Sequence, residues 1–262
     1  MHHHTITATF AAVCLMALPC RAHWDIGGPH KMHFPQLPDM AGWDVDVCHY
    51  TLADDWMCTE AGPVQQVHFW ISWTNDVIGI ITNVHLSIHS DFPGPPYSHP
   101  AELIWQDDFD PAQFSLRVWG SGPQGWYDPI SNWWIRPDHL MVFQVNVPLK
   151  AGNPFLQVPG TIYWLDIRLG VVNGLAGWKS SMDHFNDDAT VWDGGEVMWK
   201  ELRDPLEPLQ SLDLAFVIDP IPEPALPLAL SVCAGCLVRT RRRRSEIWDE
   251  AAANGYSPLL EG

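Results

Sequence analysis

Val64-Gln65-Gln66-Val67-His68-Phe69-Trp70-Ile71-Ser72-Trp73 alternates with a period of two. Val67, Phe69, Ile71 and Trp73 fall on one face of an extended chain, and His68, Trp70 and Ser72 on the other. Asn83 to Ser90 repeats the pattern, with Val84, Leu86 and Ile88 opposed to His85, Ser87 and His89. β-Branched and aromatic side chains of this kind fit a pleated, half-buried surface. Outward from these two segments, short runs of the same character recur at Glu102–Gln106, Phe114–Trp119, His139–Val147, Thr161–Leu169, Gly177–Ser181, Val197–Leu202 and Ser211–Ile218. Gly, Pro, Asn and Asp divide them, and Pro93-Gly94-Pro95-Pro96 and Gly120 to Pro129 are expected as loops. No long stretch of period 3.6 lies between His23 and Pro222. The pattern is that of an all-β sandwich or barrel.

Both ends carry the features of targeting segments. Thr5 to Leu18 is an apolar run followed by Cys20-Arg21-Ala22, the pattern of a signal peptide cleaved after Ala22. At the other end Ile221-Pro222-Glu223-Pro224 leads into apolar Ala225 to Val238, then Arg239-Thr240-Arg241-Arg242-Arg243-Arg244. The arginines hold their side of the segment in the cytoplasm. Fourteen apolar residues make a helix of about 21 Å, short of the ~30 Å hydrocarbon core. A transient membrane anchor is therefore expected rather than a permanent one. The division is a signal peptide over 1–22, a lead-in over 23–41, one domain over 42–220, a sorting segment over 221–244 and a cytoplasmic extension over 245–262.

Of the 262 residues, 47% are hydrophobic and 17% charged, which supports a sizeable core. Between His23 and Pro222 there are eight Lys and Arg against 26 Asp and Glu. So acidic a surface repels phosphate backbones and excludes nucleic acid as a partner. Six cysteines reduce to Cys48 and Cys58 once those in the terminal segments are set aside. In an oxidising compartment they are expected to form a disulfide.

Several constellations bear on function. Asp54-Asp55 ahead of a strand, and Asp183, Asp187 and Asp188 in one loop, are candidates for a structural Ca²⁺, which takes carboxylate and carbonyl oxygens at flexible spacing. The alternative is that these aspartates form turns and caps. His85 and His89 lie about 13 Å apart along a strand, too far to share one zinc ion. Fifteen Trp residues exceed what a core of this size needs. Trp126, Tyr127, Trp133 and Trp134 cluster around the expected long loop and form a candidate platform for stacking on sugar faces. No Gly-x-Ser-x-Gly motif, His-Glu-x-x-His motif or phosphate-binding loop is present, so catalysis is not expected.

Six segments carry a family resemblance: Ala53-Asp54-Asp55-Trp56-x-Cys58, His68-Phe69-Trp70, Ser87-Ile88-His89-Ser90-Asp91, Gly122-Pro123-Gln124-Gly125-Trp126-Tyr127-Asp128-Pro129, Thr161-Ile162-Tyr163-Trp164-Leu165-Asp166 and Asp183-His184-Phe185-Asn186-Asp187-Asp188-Ala189. From about Gly42 to Ile218 the chain resembles a family of uncharacterised secreted bacterial domains. The resemblance implies a jelly-roll-like antiparallel β-sandwich. More distantly it is similar to a group that includes sugar-binding sandwiches, a fold-level analogy. The tail resembles the PEP-CTERM sorting signal, which implies processing near Pro-Glu-Pro by an exosortase-type membrane enzyme. Here Ser245 to Gly262 continues past the arginines, where that signal usually ends. The leading expectation is an exported surface or matrix protein with a non-catalytic interaction module for polysaccharide. A purely structural matrix component and a polysaccharide-acting hydrolase are the two alternatives.

Overall fold

The computed structural model describes residues 23–220 other than Val197. The expected signal peptide, the Pro222-Glu223-Pro224 signature, the apolar run and Arg241 to Arg244 lie outside the described residues. Among the described residues no helix is long and apolar enough to cross a membrane.

The described chain is all-β. Its strands are β1 (Trp43–Asp46), β2 (Leu52–Met57), β3 (Gly62–Val64), β4 (Gln66–Trp73), β5 (Ile80–Phe92), β6 (His99–Phe109), β7 (Ser115–Asp128) and β8 (Trp133–Pro148). They continue with β9 (Phe155–Gln157), β10 (Ile162–Val172), β11 (Ala176–Ser181), β12 (Thr190–Asp193), β13 (Met198–Glu201), β14 (Asp213–Leu214) and β15 (Phe216–Asp219). One sheet runs β14-β11-β1-β7-β8-β4-β15, and a second runs β13-β12-β2-β10-β5-β6. Strands β3 and β9 form a small separate pair.

The first sheet curls until β11 pairs with β4 as well as with β1, which closes the ring β4-β8-β7-β1-β11. Gly177 sits where β11 meets β1, and a Cβ there would lie 2.7 Å from the Asp44 backbone. One pair in the ring, β1 with β7, is parallel, a departure from the expected antiparallel sandwich. The segment expected as a loop over Gly120 to Pro129 instead lies, up to Asp128, within β7 and is paired to β8 through Trp126–Ile135 and Asp128–Trp133. Asp54 and Asp55 lie inside β2, not ahead of a strand.

The core fills the space between the sheets. Trp178 of β11 meets Phe216 of β15 at 6.1 Å between ring centroids, and Phe216 meets Trp56 of β2 at 6.2 Å. Val45, Ile71 and Trp178 share this inner face through their register. The lead-in is part of the same packing. Trp24 lies edge-on to Trp70 at 6.1 Å, and Trp119 meets Trp70 from another side at 5.1 Å. These rings cover Trp70, while His68 bonds Asn146 and Ser72 bonds Gln124, so both faces of β4 are buried although its sequence alternates.

Candidate functional site

The β12–β13 hairpin continues the second sheet beyond β2 and curls toward its outer face. Its register sets Trp192 opposite Trp199, with ring centroids 5.3 Å apart. Trp199 reaches His89 on β5 at 6.3 Å. The loop between β5 and β6 closes the gap, because the Tyr97 hydroxyl donates to the Trp199 carbonyl at 3.0 Å. The result is a depression of about 320 Å³ lined by Pro95, Pro96, Tyr97, His99, Trp192 and Trp199 among others. Trp192 also borders a second depression of about 550 Å³, with Tyr50, Arg168 and Asp193 on its walls. Asp193 accepts from Lys200 Nζ at 2.7 Å and from the Gly195 backbone at 2.9 Å, and these bonds hold its carboxyl below the ordinary range. Aromatic faces flanked by carboxylate, guanidinium and phenol groups suit a ligand that is apolar on its ring faces and rich in hydroxyls.

On the same outer face, Ser87, His89 and Asp166 are adjacent. Their bonding does not make a nucleophile. Ser87 Oγ donates to Asp166, and His89 Nε2 bonds the other Asp166 oxygen at 2.9 Å and lies 3.4 Å from Ser87 Oγ, so the hydroxyl proton is directed to the carboxylate. His89 Nδ1 is turned to the Ala101 carbonyl at 3.2 Å. Acceptors at both ring nitrogens favour the charged imidazole: burial lowers the His89 pKa, but the bonds to Asp166 outweigh that and raise it. His68 is on the other sheet, bonded to Asn146 at 2.7 Å and Asp219 at 3.3 Å, so it does not join His85 and His89.

The expected acidic group is partly assembled. Asp54 accepts from the Leu214 backbone at 2.6 Å and Gln36 at 3.1 Å, which tie β2 to β14 and to the lead-in. Asp55 accepts from Asn186 at 2.6 Å, and Asp187 accepts from the Ser98 backbone at 2.7 Å. Asp183 lies apart, capping the Leu37 backbone at 3.0 Å. Among the described residues, Asp187, Asp188 and Glu201 offer oxygens within 4.8 Å of one another and are the set that could hold a cation. The Arg203 guanidinium already lies 2.8 Å from Asp188 and 2.9 Å from Glu201. A metal ion there would compete with it. Burial raises Asp54 well above the usual range, Asp55 to about 9 and Asp188 to about 7, so protons as well as Arg203 neutralise the cluster.

Two expectations are corrected. The platform of Trp126, Tyr127, Trp133 and Trp134 divides: Trp126 and Tyr127 are 3% and 6% exposed, and Trp133 and Trp134 are 55% and 39% exposed. These residues lie on paired strands, not on a loop. Tyr127 and Trp134 turn to Trp43, and Trp126 shares its face with Asp44 on the adjacent strand. The Cys48–Cys58 disulfide is absent, and both thiols are free. The two residues flank opposite ends of the six-residue strand β2. Cys48 bonds the Ala176 carbonyl at 3.3 Å and Cys58 the Glu60 carbonyl at 3.2 Å. A disulfide needs Cα atoms within about 7 Å, and six extended residues span about 20 Å.

Tyr97, Trp192 and Trp199 were not among the residues singled out from the sequence. The signal was present in Trp192-Asp193-Gly194-Gly195, whose Asp-Gly-Gly run marks a hairpin, but a two-residue Asp-Gly turn would pair Trp192 with Gly195, and the register that sets it opposite Trp199 comes from the structure.

Fold and cleft together define an all-β domain with an aromatic surface depression. Residues 32–219 match the family described as a domain of unknown function (DUF7901), and the chain belongs to that family. No curated protein and no solved structure matches the chain.

Proposed function

We propose that this domain is a non-catalytic interaction module that binds polysaccharide in the Trp192 cleft. It is carried by an exported, jelly-roll-like sandwich and sorted to the cell surface by its tail. The observation that supports this reading is the concave group of Trp192, Trp199 and Tyr97. A glycosidase needs two facing carboxylates. Asp193 is the one carboxylate among the residues lining the two depressions, and Lys200 holds it. Processing near Pro222-Glu223-Pro224 by an exosortase-type enzyme belongs to the same proposal.

The test is retention of the purified protein on a panel of immobilised polysaccharides, with reducing ends assayed in the same tubes. Retention on one polysaccharide without new reducing ends, weakened about tenfold in Trp192→Ala, is the expected result. Absence of retention on every member would overturn the proposal in favour of a structural matrix role. New reducing ends would overturn it in favour of a hydrolase.

A further inference from the structure

The closed ring encloses ionisable side chains that water does not reach. Asp44 on β1 and Lys179 on β11 are direct partners in the antiparallel register. Lys179 Nζ lies 3.0 Å from Asp44 Oδ2 and 3.3 Å from the Trp43 carbonyl. His139 Nε2, from β8, lies 2.8 Å from the same Asp44 Oδ2. His139 Nδ1 is held by Asp138 Oδ2 at 2.8 Å. The side chains of Asp44, Lys179 and His139 are fully buried, and that of Asp138 is 1% exposed. Asp44 Oδ1 has no hydrogen-bond partner.

A buried ion pair is well compensated only when every lone pair is satisfied, and here one carboxylate oxygen is orphaned. Condensation would remove both charges of the pair. The geometry favours it, since amine and carboxyl are fixed in contact and no solvent competes. Burial lowers the Lys179 pKa against the pull of Asp44, which favours the free amine. Burial also lowers the His139 pKa, but its bonds to Asp44 and Asp138 outweigh that and raise it, which favours the imidazolium.

We propose that Asp44 and Lys179 condense into an isopeptide bond inside the ring, with His139 passing the protons. Proton transfer within the ion pair gives a carboxylic acid and a free amine. The Nζ lone pair forms a bond to Asp44 Cγ, and the carbonyl electron pair moves to Oδ1. His139 Nε2 protonates the Oδ2 hydroxyl, and the C–Oδ2 bond breaks as water leaves. The electron pair returns from Oδ1 to form the amide carbonyl. Nε2 then takes the surplus proton from the new amide nitrogen, so the imidazolium is restored. One amide and one water form, and no other reactant is needed. His139 and Asp138 are left as a balanced ion pair.

The test is peptide mapping of the full chain after folding, denaturation and digestion with two proteases of different specificity. The expected product is one peptide pair containing Asp44 and Lys179, joined and lighter than the sum of its parts by one water. In Lys179→Arg the pair should separate. In His139→Gln the joined fraction at a fixed time after synthesis should fall at least tenfold. Separate peptides of full mass, with Lys179 open to an amine reagent after denaturation, would overturn the bond. Loss of water from the Asp44 peptide alone would also overturn it, because that is a cyclic imide. The wild-type map decides the bond without any variant, so poor folding of Lys179→Arg does not blunt the test. An unchanged joined fraction in His139→Gln would remove His139 from the step.

Discussion

Asp55→Asn should make the domain more stable at alkaline pH, although it alters a buried residue. Asp55 is fully buried. One oxygen accepts from Asn186 at 2.6 Å, and Oδ1 has no partner. Burial pushes its pKa up to about 9; the Asn186 bond opposes the shift, and Asp213, Asp91 and Asp187 add to it. The unfolded value is 3.8. Between these values the folded chain holds a proton that the unfolded chain releases, so stability falls as pH rises. The contribution is full below about pH 4 and is lost by about pH 9. The slope is about 1.4 kcal/mol per pH unit, or about 4 kcal/mol from pH 5 to pH 8. Asparagine keeps the acceptor for Asn186 and has no such slope. Asp188, at about 7, titrates in parent and variant alike and cancels. Unfolding free energies from urea titrations at pH 5 and pH 8, read by Trp fluorescence, should show the parent losing about 4 kcal/mol relative to the variant, which leaves Asn the more stable at pH 8. Equal destabilisation at both pH values would refute the reasoning. The same titrations with calcium and with a chelator decide the Ca²⁺ expectation. Calcium that stabilises the parent at pH 8 but not Asp55→Asn would mean that Asp55 is an ionised ligand.

Three further outcomes follow from the site and the corrections. Trp192→Ala should weaken polysaccharide retention about tenfold, the effect of roughly 1.4 kcal/mol of lost stacking, with an unchanged urea midpoint. Trp126→Ala should cost about 3–5 kcal/mol of stability, because its side chain is buried, whereas Trp133→Ala should stay within about 0.5 kcal/mol; equal effects would show that the division of the four aromatics is wrong. Reducing agent should leave the urea midpoint unchanged, since Cys48 and Cys58 are free thiols. Cys48 should alkylate slowly in the folded protein, its pKa raised to about 11 chiefly by burial, and a drop in midpoint on reduction would restore the disulfide.

The alternation of Val67, Phe69, Ile71 and Trp73 determined that this segment is a strand with an apolar face, because side chains on a pleated strand point alternately to either side. The same local rule located most of β5, β8, β10 and β11 and determined the all-β class, and the composition by itself determined the acidity. Local reading failed where pairing overrides composition. Gly120 to Pro129 carries loop residues, yet β8 gives it a ladder partner. Asp54 and Asp55 have low strand propensity, yet their carboxylates are bonded by Leu214, Gln36 and Asn186, all distant in the chain. The closure of β11 on β4, the meeting of Asp44, His139 and Lys179, and the cleft made by Tyr97 and Trp199 are likewise long-range. Periodicity reports which way one strand's side chains point. Which strands become neighbours, and hence which side chains meet, depends on burial and hydrogen bonding summed over the whole chain, and only the tertiary structure decided it.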